Sequence, residues 1–125
     1  MINFQNSPIF KLKAVNNNTF ANILSQIIIN GEQVLGSYKT VRDGVVFTNK
    51  RVIAINIQGV TGKKVDVTSL PYSRLSVYSC ETAGVFDMDS ELELWFDGLG
   101  KVRFEFSGNT NISEINRAIS VFTLQ

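Results

Sequence analysis

The sequence predicts a single mainly β domain: a bent barrel of seven short strands, capped by a C-terminal α-helix, with an additional helix before the first strand. From residue 32 onward, short apolar segments are separated by turn residues, which is typical of all-β barrels and sandwiches. The last two segments alternate strictly between apolar and polar residues, so one face of each is predicted to lie in a core. The final residues carry apolar side chains at helical spacing instead.

An N-terminal helix is predicted over residues 19–30. Thr19 fits the N-cap position, and Gly31 favours an end at this point because glycine adopts the left-handed conformation without a Cβ penalty. The apolar residues of the segment share one face at helical spacing: Phe20, Ile23, Leu24, Ile27 and Ile28. Residues 1–18 carry weak patterns and are predicted to form an N-terminal arm, in which residues 9–15 alternate imperfectly and favour a short extended segment.

Seven strands are predicted after this helix, each followed by a turn residue such as glycine, asparagine, aspartate or proline. They cover residues 34–40, 45–48, 51–57, 63–70, 75–82, 91–96 and 101–106. Pro71 ends the fourth strand because proline cannot donate a hydrogen bond to a sheet. In the last hairpin, the alternation assigns Trp95 to the outward face, together with the acidic residues of the same strand.

A C-terminal helix is predicted over residues 111–124. Asn111 and Glu114 have the spacing of a capping box, and the apolar stripe consists of Ile112, Ile115, Ile119 and Phe122. A bent seven-stranded sheet leaves one end of its core open, and a helix with one apolar face covers that end. Neither a linker nor a repeat interrupts the sequence, so residues 19–125 are predicted to form one domain.

Composition argues against catalysis. The 125 residues carry a net charge of +1, one cysteine and no histidine, which removes the commonest general base and the commonest transition-metal ligand. No catalytic, metal-binding or cofactor-binding residue is therefore predicted. The single Cys80 cannot form an intrachain disulfide and is expected to be a half-buried strand residue. The first residues lack the features of a signal peptide, so the expected location is the cytoplasm.

Two further classes of site are disfavoured. Residues 87–93 place acids at alternate positions, like the start of a calcium-binding EF-hand loop, but Leu92 and Gly98 occupy positions that require glycine and glutamate. The acids of the last hairpin are instead expected to face Lys101 and Arg103 across the strands. Nucleic-acid binding needs aromatic residues on a basic sheet face, whereas the phenylalanines of the last strand lie on the core register.

Several short motifs occur in order along the predicted strands, and Trp95 follows them. They are FTNKRVI at 47–53, QGVTGKK at 58–64, LPYS at 70–73, ETAG at 81–84 and DMDSEL at 87–92. Together they resemble the bacterial pleckstrin-homology-like family of small uncharacterised proteins. The resemblance implies a pleckstrin-homology-like fold, the absence of catalytic residues and a tendency to self-associate into symmetric rings.

The first functional hypothesis is a non-enzymatic, homo-oligomeric scaffold or protein-interaction module, with an unknown protein partner left open. Residues 39–74 are mainly basic and residues 81–97 are acidic, a distribution suited to head-to-tail contacts that close a ring. The candidate interface residues are an outward tryptophan, a valine at a glycine-flanked turn and part of the N-terminal helix: Trp95, Val60, Phe20, Ile23 and Ile27. That helix is expected to pack on its own barrel or on a neighbouring copy.

The alternative hypothesis is a domain that binds a lipid headgroup of the phosphoinositide type at a membrane surface. The candidate contacts are Lys39, Arg42 and Lys50, and the first two lie where eukaryotic pleckstrin-homology domains place the basic residues that bind headgroups. The loop here is short and carries Asp43, whereas a phosphate needs several convergent donors. The N-terminal helix contains neither lysine nor arginine, so membrane binding is disfavoured.

Overall fold

The computed structural model describes residues 1, 3–4, 9–85, 88–108 and 110–124, and for residues 9 and 10 it describes the backbone alone. The elements along these residues are β1 (Ile9–Val15), α1 (Ala21–Leu24), β2 (Val34–Lys39), β3 (Gly44–Thr48), β4 (Arg51–Gln58), β5 (Lys64–Pro71), a 3₁₀ turn (Tyr72–Arg74), β6 (Leu75–Glu81), β7 (Ser90–Phe96), β8 (Gly100–Phe106) and α2 (Ile112–Thr123). The predicted class, a mainly β fold with a C-terminal helix, is confirmed.

These strands form one sheet in the order β5-β4-β3-β2-β1-β8-β7-β6. The seven predicted strands correspond to β2 through β8. The additional strand, β1, lies within residues 1–18, which the sequence left outside the domain. It pairs antiparallel with β2 and parallel with β8, so it joins the two halves of the sheet.

The sheet surrounds a core but does not close into a complete barrel. The two ends of the strand order are β5 and β6, and no ladder joins these two strands in the part of the chain that the structure describes. They are consecutive in sequence, but Pro71 and the 3₁₀ turn separate them. Both strands are therefore edges, and an edge strand presents unpaired backbone N–H and C=O groups.

The main core lies between the two halves of the sheet and beneath α2. Its large, fully buried side chains include five from β1, β7 and β8: Phe104, Phe106, Leu12, Leu92 and Leu94. The helix contributes three buried isoleucines: Ile112, Ile115 and Ile119. Asn111 caps this helix as predicted, because its side chain accepts a hydrogen bond from the backbone N–H of Glu114 at 3.3 Å.

Residues 16–31, here called the cover segment, lie on the outer face of the first half of the sheet. Their apolar side chains form a second buried cluster with residues of β3 and β4: Phe20, Leu24, Val46, Ile53 and Ile55. Every residue of β3 is buried as a result. The apolar face of this segment therefore packs on its own sheet, which is one of the two predicted alternatives.

The helix predicted over residues 19–30 is confined to Ala21–Leu24. Thr19 does not cap it, since its hydroxyl donates to the carbonyl of Asn16 at 2.5 Å, and the observed N-cap residue makes no side-chain hydrogen bond. The isoleucines at positions 27–29 disfavour further helix because β-branched side chains lose rotamer freedom there. The N-terminal helix is thus a short addition to the fold.

A buried ion pair links Glu32, the residue directly after the cover segment, to Arg51 of β4. The side chain of Glu32 is 0% exposed, and both of its oxygens accept hydrogen bonds of 2.9 Å from Arg51, one from Nε and one from Nη2. Arg51 Nη2 also donates to the carbonyl of Ile27 at 2.8 Å. The hydroxyl of Thr48 donates to Glu32 at 2.7 Å. Both charges therefore have several partners, as stable burial of an ion pair requires.

The ion pair makes stability depend on acidity. Burial opposes the charged form of Glu32, but hydrogen bonds from Arg51, Thr48 and the backbone of Ile29 outweigh it, so the pKa of this carboxyl lies below its ordinary 4.5. A carboxyl whose pKa is lowered by folding stabilises the fold above its unfolded-state pKa, and this contribution is lost as the pH falls through the folded-state value.

We therefore expect Glu32→Gln to make the free energy of unfolding less dependent on pH in the acidic range. Urea unfolding measured over a pH series reads this out directly. The wild-type free energy of unfolding is expected to fall more steeply than that of the variant below about pH 4.5. If the free energy of unfolding falls equally steeply with decreasing pH in the two proteins, Glu32 is not the cause of the acid dependence.

Candidate functional site

The predicted interface residues occupy three separate places. Phe20 is only 4% exposed and lies inside the second cluster, and Ile23 and Ile27 pack half-buried against the same cluster. Val60 is fully exposed at the tip of the hairpin between β4 and β5. Trp95 lies half-buried on β7, on the face opposite the core-facing leucines. Trp95 and Val60 are therefore surface residues, whereas Phe20 is internal.

The two edges of the sheet differ in composition. β5 carries Lys64, Asp66 and Pro71, and the N-terminal ammonium of Met1 donates to Asp66 at 2.9 Å. Charges and proline protect an edge strand against pairing with another chain. β6 contains no lysine, arginine or proline, and its only charged residue is Glu81, at its end. By composition, β6 is therefore the less protected edge, although α2 packs against Tyr78 and Cys80 of this strand.

An apolar pair, of which one member is exposed and the other half-buried, lies on the outer face beside the β6 edge. Val77 is 55% exposed and stands directly opposite Trp95 in the ladder between β6 and β7. The hydroxyl of Ser76 donates to the backbone carbonyl of Trp95 at 2.9 Å. Alternation alone would place Val77 on the same face as Leu75. The register of the β6–β7 pairing shifts between these two residues, so Val77 faces outward, and sequence patterns do not reveal such a shift.

Charged side chains cover the rest of this outer face. Lys101 bonds Glu93 at 3.0 Å, and Arg103 pairs with Glu91, which confirms the predicted pairing of acids and bases across the last hairpin. Asp87 of the acidic segment lies outside the described residues. Within the described ranges, no group of three or more acidic, cysteine or histidine residues is arranged to hold a metal ion.

A groove runs between β6 and α2. It has a volume of about 480 Å³ and is lined in part by Cys80, Asn116 and Arg117. Asn116 Nδ2 donates to the sulfur of Cys80 at 3.2 Å, and the hydroxyls of Tyr78 and Ser120 are 2.6 Å apart. Burial raises the pKa of the Cys80 thiol, so the sulfur stays protonated and weakly nucleophilic at neutral pH. The half-buried position predicted for Cys80 is confirmed.

The predicted basic contacts do not form one cluster. Lys39 ends β2 and Arg42 lies in the turn after it, where its Nη2 donates to the carbonyl of Gly59 at 2.6 Å. Lys50 lies in the turn between β3 and β4, at the opposite end of β3 from Arg42. No helix of the described chain has the length and apolar character needed to cross a membrane.

Two lysines that the sequence analysis did not select lie beside Lys39 instead. Lys11 and Lys13 of β1 line a cavity of about 480 Å³ together with Lys39, Thr40 and Val41. Their spacing of two residues is that of side chains on one face of a strand. The imperfect alternation of residues 9–15 predicted a short extended arm but not its pairing with β2, and the lysine cluster depends on that pairing.

Comparisons with known proteins relate the whole chain to small bacterial domains. A family model described as "Bacterial PH domain" matches residues 3–123. The Uncharacterized protein YjqA of Bacillus subtilis is 43% identical over 99 residues, which cover 78% of this chain and 79% of that protein. The Uncharacterized protein YozO of the same organism is 32% identical over 107 residues, which cover 86% and 92%.

Solved structures share the fold. A DUF1696 family protein with a pleckstrin-homology domain from Shewanella loihica is 41% identical, with a TM-score of 0.78 over 90% of this chain and 97% of that one. A pleckstrin homology domain from Shewanella amazonensis is 42% identical, with a TM-score of 0.67 over 89% and 90%. A PH domain containing protein from Exiguobacterium sibiricum, at 17% identity and a TM-score of 0.69, supports the fold alone. The predicted pleckstrin-homology-like fold is confirmed.

Proposed function

The chain belongs to the bacterial PH-domain family, and on that premise we propose that it is a non-catalytic interaction module that assembles with further copies of itself. The observation that carries the proposal is the β6 edge, an open strand without lysine, arginine or proline. Exposed strands of this kind template pairing with another chain. Backbone hydrogen bonds supply the affinity in such strand addition, and neighbouring side chains supply the specificity.

A second copy of this chain is the occupant that the surface favours. The same molecule offers a second open edge, β5. Its charges and Pro71 oppose indiscriminate pairing, but Lys63 and Lys64 at its start complement Glu81 at the end of β6. Opposite charges on the two edges suit a heterologous contact between them. Repetition of such a contact forms a ring when the rotations between successive copies add up to a full turn. The exposed Val77 and the half-buried Trp95 add an apolar pair at the β6 side, and Val60 adds an exposed valine near the start of β5.

The chemistry beside the groove also favours an interaction role. The hydrogen bonds of Asn116 and Ser120 hold α2 against β6, and the raised pKa of Cys80 keeps its thiol protonated. The carboxylates of Glu91 and Glu93 are paired with cations. The proposal places the module in the cytoplasm, where a lone thiol stays reduced. Any further protein partner remains a prediction.

Val77→Lys is expected to dissociate the assembly. A lysine on an edge strand opposes pairing with a second strand, and here it also places a charge beside Trp95. Light scattering at micromolar concentration is expected to give a mass several times that of the monomer for the wild type and the monomer mass for the variant. Ile29→Lys is the matched control because Ile29 is equally exposed, at 57%, but lies in the cover segment.

Two results would contradict the proposed function. A wild-type protein that is monomeric at these concentrations would remove the basis for self-association. If the assembly persists with Val77→Lys but dissociates with Ile29→Lys, the interface lies on the cover segment and not at the β6 edge. Circular dichroism of both variants confirms that each remains folded.

A further inference from the structure

We propose that the cover segment is a lid that opens as one unit while the sheet beneath it remains folded. The segment lies in the connection from β1 to β2, which are neighbouring strands that pair antiparallel. A two-residue turn is enough to join such strands, whereas this connection takes residues 16–33. Connections of this length with little secondary structure of their own are uncommon and are often functional lids. The lid covers the outer face of β3 and β4, so it is separate from the two sheet edges on which the proposed function rests.

The first observation is that the early part of the cover segment forms hydrogen bonds only within itself. The backbone N–H of Leu24 donates to the carbonyl of Phe20, and that of Ile28 donates to the carbonyl of Leu24, at 2.9 Å each. In the part of the chain that the structure describes, residues 17–26 make no hydrogen bond to the sheet. Apolar contacts therefore hold these residues in place, and they can detach without breaking a hydrogen bond of the sheet.

The second observation is that the polar contacts to the sheet collect at one end of the connection. The backbone N–H of Gln33 donates to Asn49 Oδ1 at 2.8 Å, and Asn49 Nδ2 donates to the carbonyl of Gly31 at 3.0 Å. The buried pair of Glu32 and Arg51 lies beside these bonds. Together these contacts form a latch where the connection enters β2, so loss of the ion pair favours the open lid.

The third observation is a buried hydroxyl beneath the lid. Ser37 is 2% exposed, and it stands opposite Val15 and Val46 in its two ladders. Residues directly opposite each other share a face of the sheet, and both valines belong to the second cluster. The Oγ atom of Ser37 has no hydrogen-bond partner among the described residues. A buried polar group without a partner costs free energy, so the closed lid carries a cost that is removed when water reaches this hydroxyl.

The face under the lid is apolar and has room for an aromatic ring. Gly44 carries no side chain at the point where the ring of Phe20 packs. Three aliphatic side chains of β3 and β4 surround this point: Val46, Ile53 and Ile55. They belong to a cluster separate from the main core, so the sheet keeps its main core when the lid opens. The open lid thus exposes an apolar surface that accepts an aromatic group.

Native-state hydrogen exchange, measured by NMR at low urea concentrations, tests whether the lid opens separately from the sheet. A single helical turn is unstable without packing, so the amides of Leu24, Ser25 and Ile28 are expected to exchange whenever the lid opens. We expect these amides to share one opening free energy, which lies below that of the β8 amides. Equal opening free energies in the two places would overturn the proposal, because the segment would then open only together with the whole sheet.

Two pairs of variants separate opening of the lid from stability of the whole fold. Arg51→Met is expected to speed exchange of the lid amides by about tenfold or more, because the latch is lost. Lys101→Met breaks an exposed pair on β8 and is expected to leave them unchanged. Ser37→Ala is expected to slow the same exchange, because it removes the buried hydroxyl. Ser90→Ala is its control, since Ser90 Oγ is also buried without a partner among the described residues but lies on β7, away from the lid.

A fluorescent dye reports on the exposed face. Anilinonaphthalenesulfonate binds exposed apolar surface, and its fluorescence at neutral pH is expected to rise with Arg51→Met but not with Lys101→Met. Circular dichroism of the same samples is expected to show that the strands are retained. Equal effects of Ser37→Ala and Ser90→Ala on the lid amides, or a rise in dye fluorescence only together with loss of the strands, would contradict a lid that opens on a folded sheet.

Discussion

Replacing Arg51 with methionine is expected to lower the free energy of unfolding by about 3–5 kcal/mol, because it leaves the buried carboxylate of Glu32 without its cation. The hydroxyl of Thr48 and the backbone N–H of Ile29 remain as partners for Glu32, but neither carries a compensating charge. Chemical denaturation at neutral pH measures the loss. The cover segment is expected to open first, since the lost guanidinium also bonds the carbonyl of Ile27.

Lys101→Met is the matched control for this substitution. The pair of Lys101 with Glu93 has nearly the same length, 3.0 Å, but the lysine is 48% exposed, so its loss is expected to cost less than about 1 kcal/mol. The double variant Glu32→Leu/Arg51→Met is expected to recover much of the stability, since apolar replacement of a buried pair is often close to neutral. Equal costs for Arg51→Met and Lys101→Met would contradict the assigned role of the buried pair.

Gly44→Ala is expected to lower the free energy of unfolding by about 1–3 kcal/mol through overpacking. A Cβ atom at Gly44 would overlap Phe20 Cζ and lie within 2.9 Å of two further atoms of that ring. Phe20 is buried between the cover segment and the sheet, so the ring has little room to move. Gly36→Ala is the control, because its added methyl group would lie no closer than 3.3 Å to its nearest neighbour, the side chain of Tyr38.

A double-mutant cycle with Phe20→Leu tests the assigned cause. The smaller side chain leaves space for the new methyl group, so Gly44→Ala is expected to cost less in the Phe20→Leu background. Residues in contact typically show coupling energies of about 0.5–3 kcal/mol. Additive effects of the two substitutions would show that the cost of Gly44→Ala arises elsewhere, for example in the backbone of β3.

Local patterns predicted most of the fold. The alternation of β7 and β8 and the turns between the strands depend on neighbouring residues, so β2 through β8 and α2 were readable from sequence. For β1, the imperfect alternation of residues 9–15 predicted only a short extended arm. Its place in the sheet was not readable, because its pairing with β8 joins residues far apart in the chain. The cover segment has the predicted apolar face, but tertiary contacts rather than helix propensity hold it in place.

The candidate surface was predicted only in part. Alternation along β7 placed Trp95 outward correctly, but the openness of the sheet depends on whether two distant edges meet, which no local pattern encodes. Lys39 and Lys50 lie close in sequence, but β3 runs between them, so they lie at opposite ends of this strand. The partners of Lys39 come from β1, whose position depends on the whole sheet.

Hydrogen exchange of the β6 amides is the most direct test of assembly through this edge. In a free edge strand, alternate N–H groups point away from the sheet and exchange rapidly, whereas a paired neighbour protects them. If copies assemble through β6, we expect protection of every β6 amide between Ser76 and Glu81 in the wild-type assembly, and rapid exchange at alternate positions in monomeric Val77→Lys. Alternate rapid exchange in a wild-type assembly of full mass would contradict it.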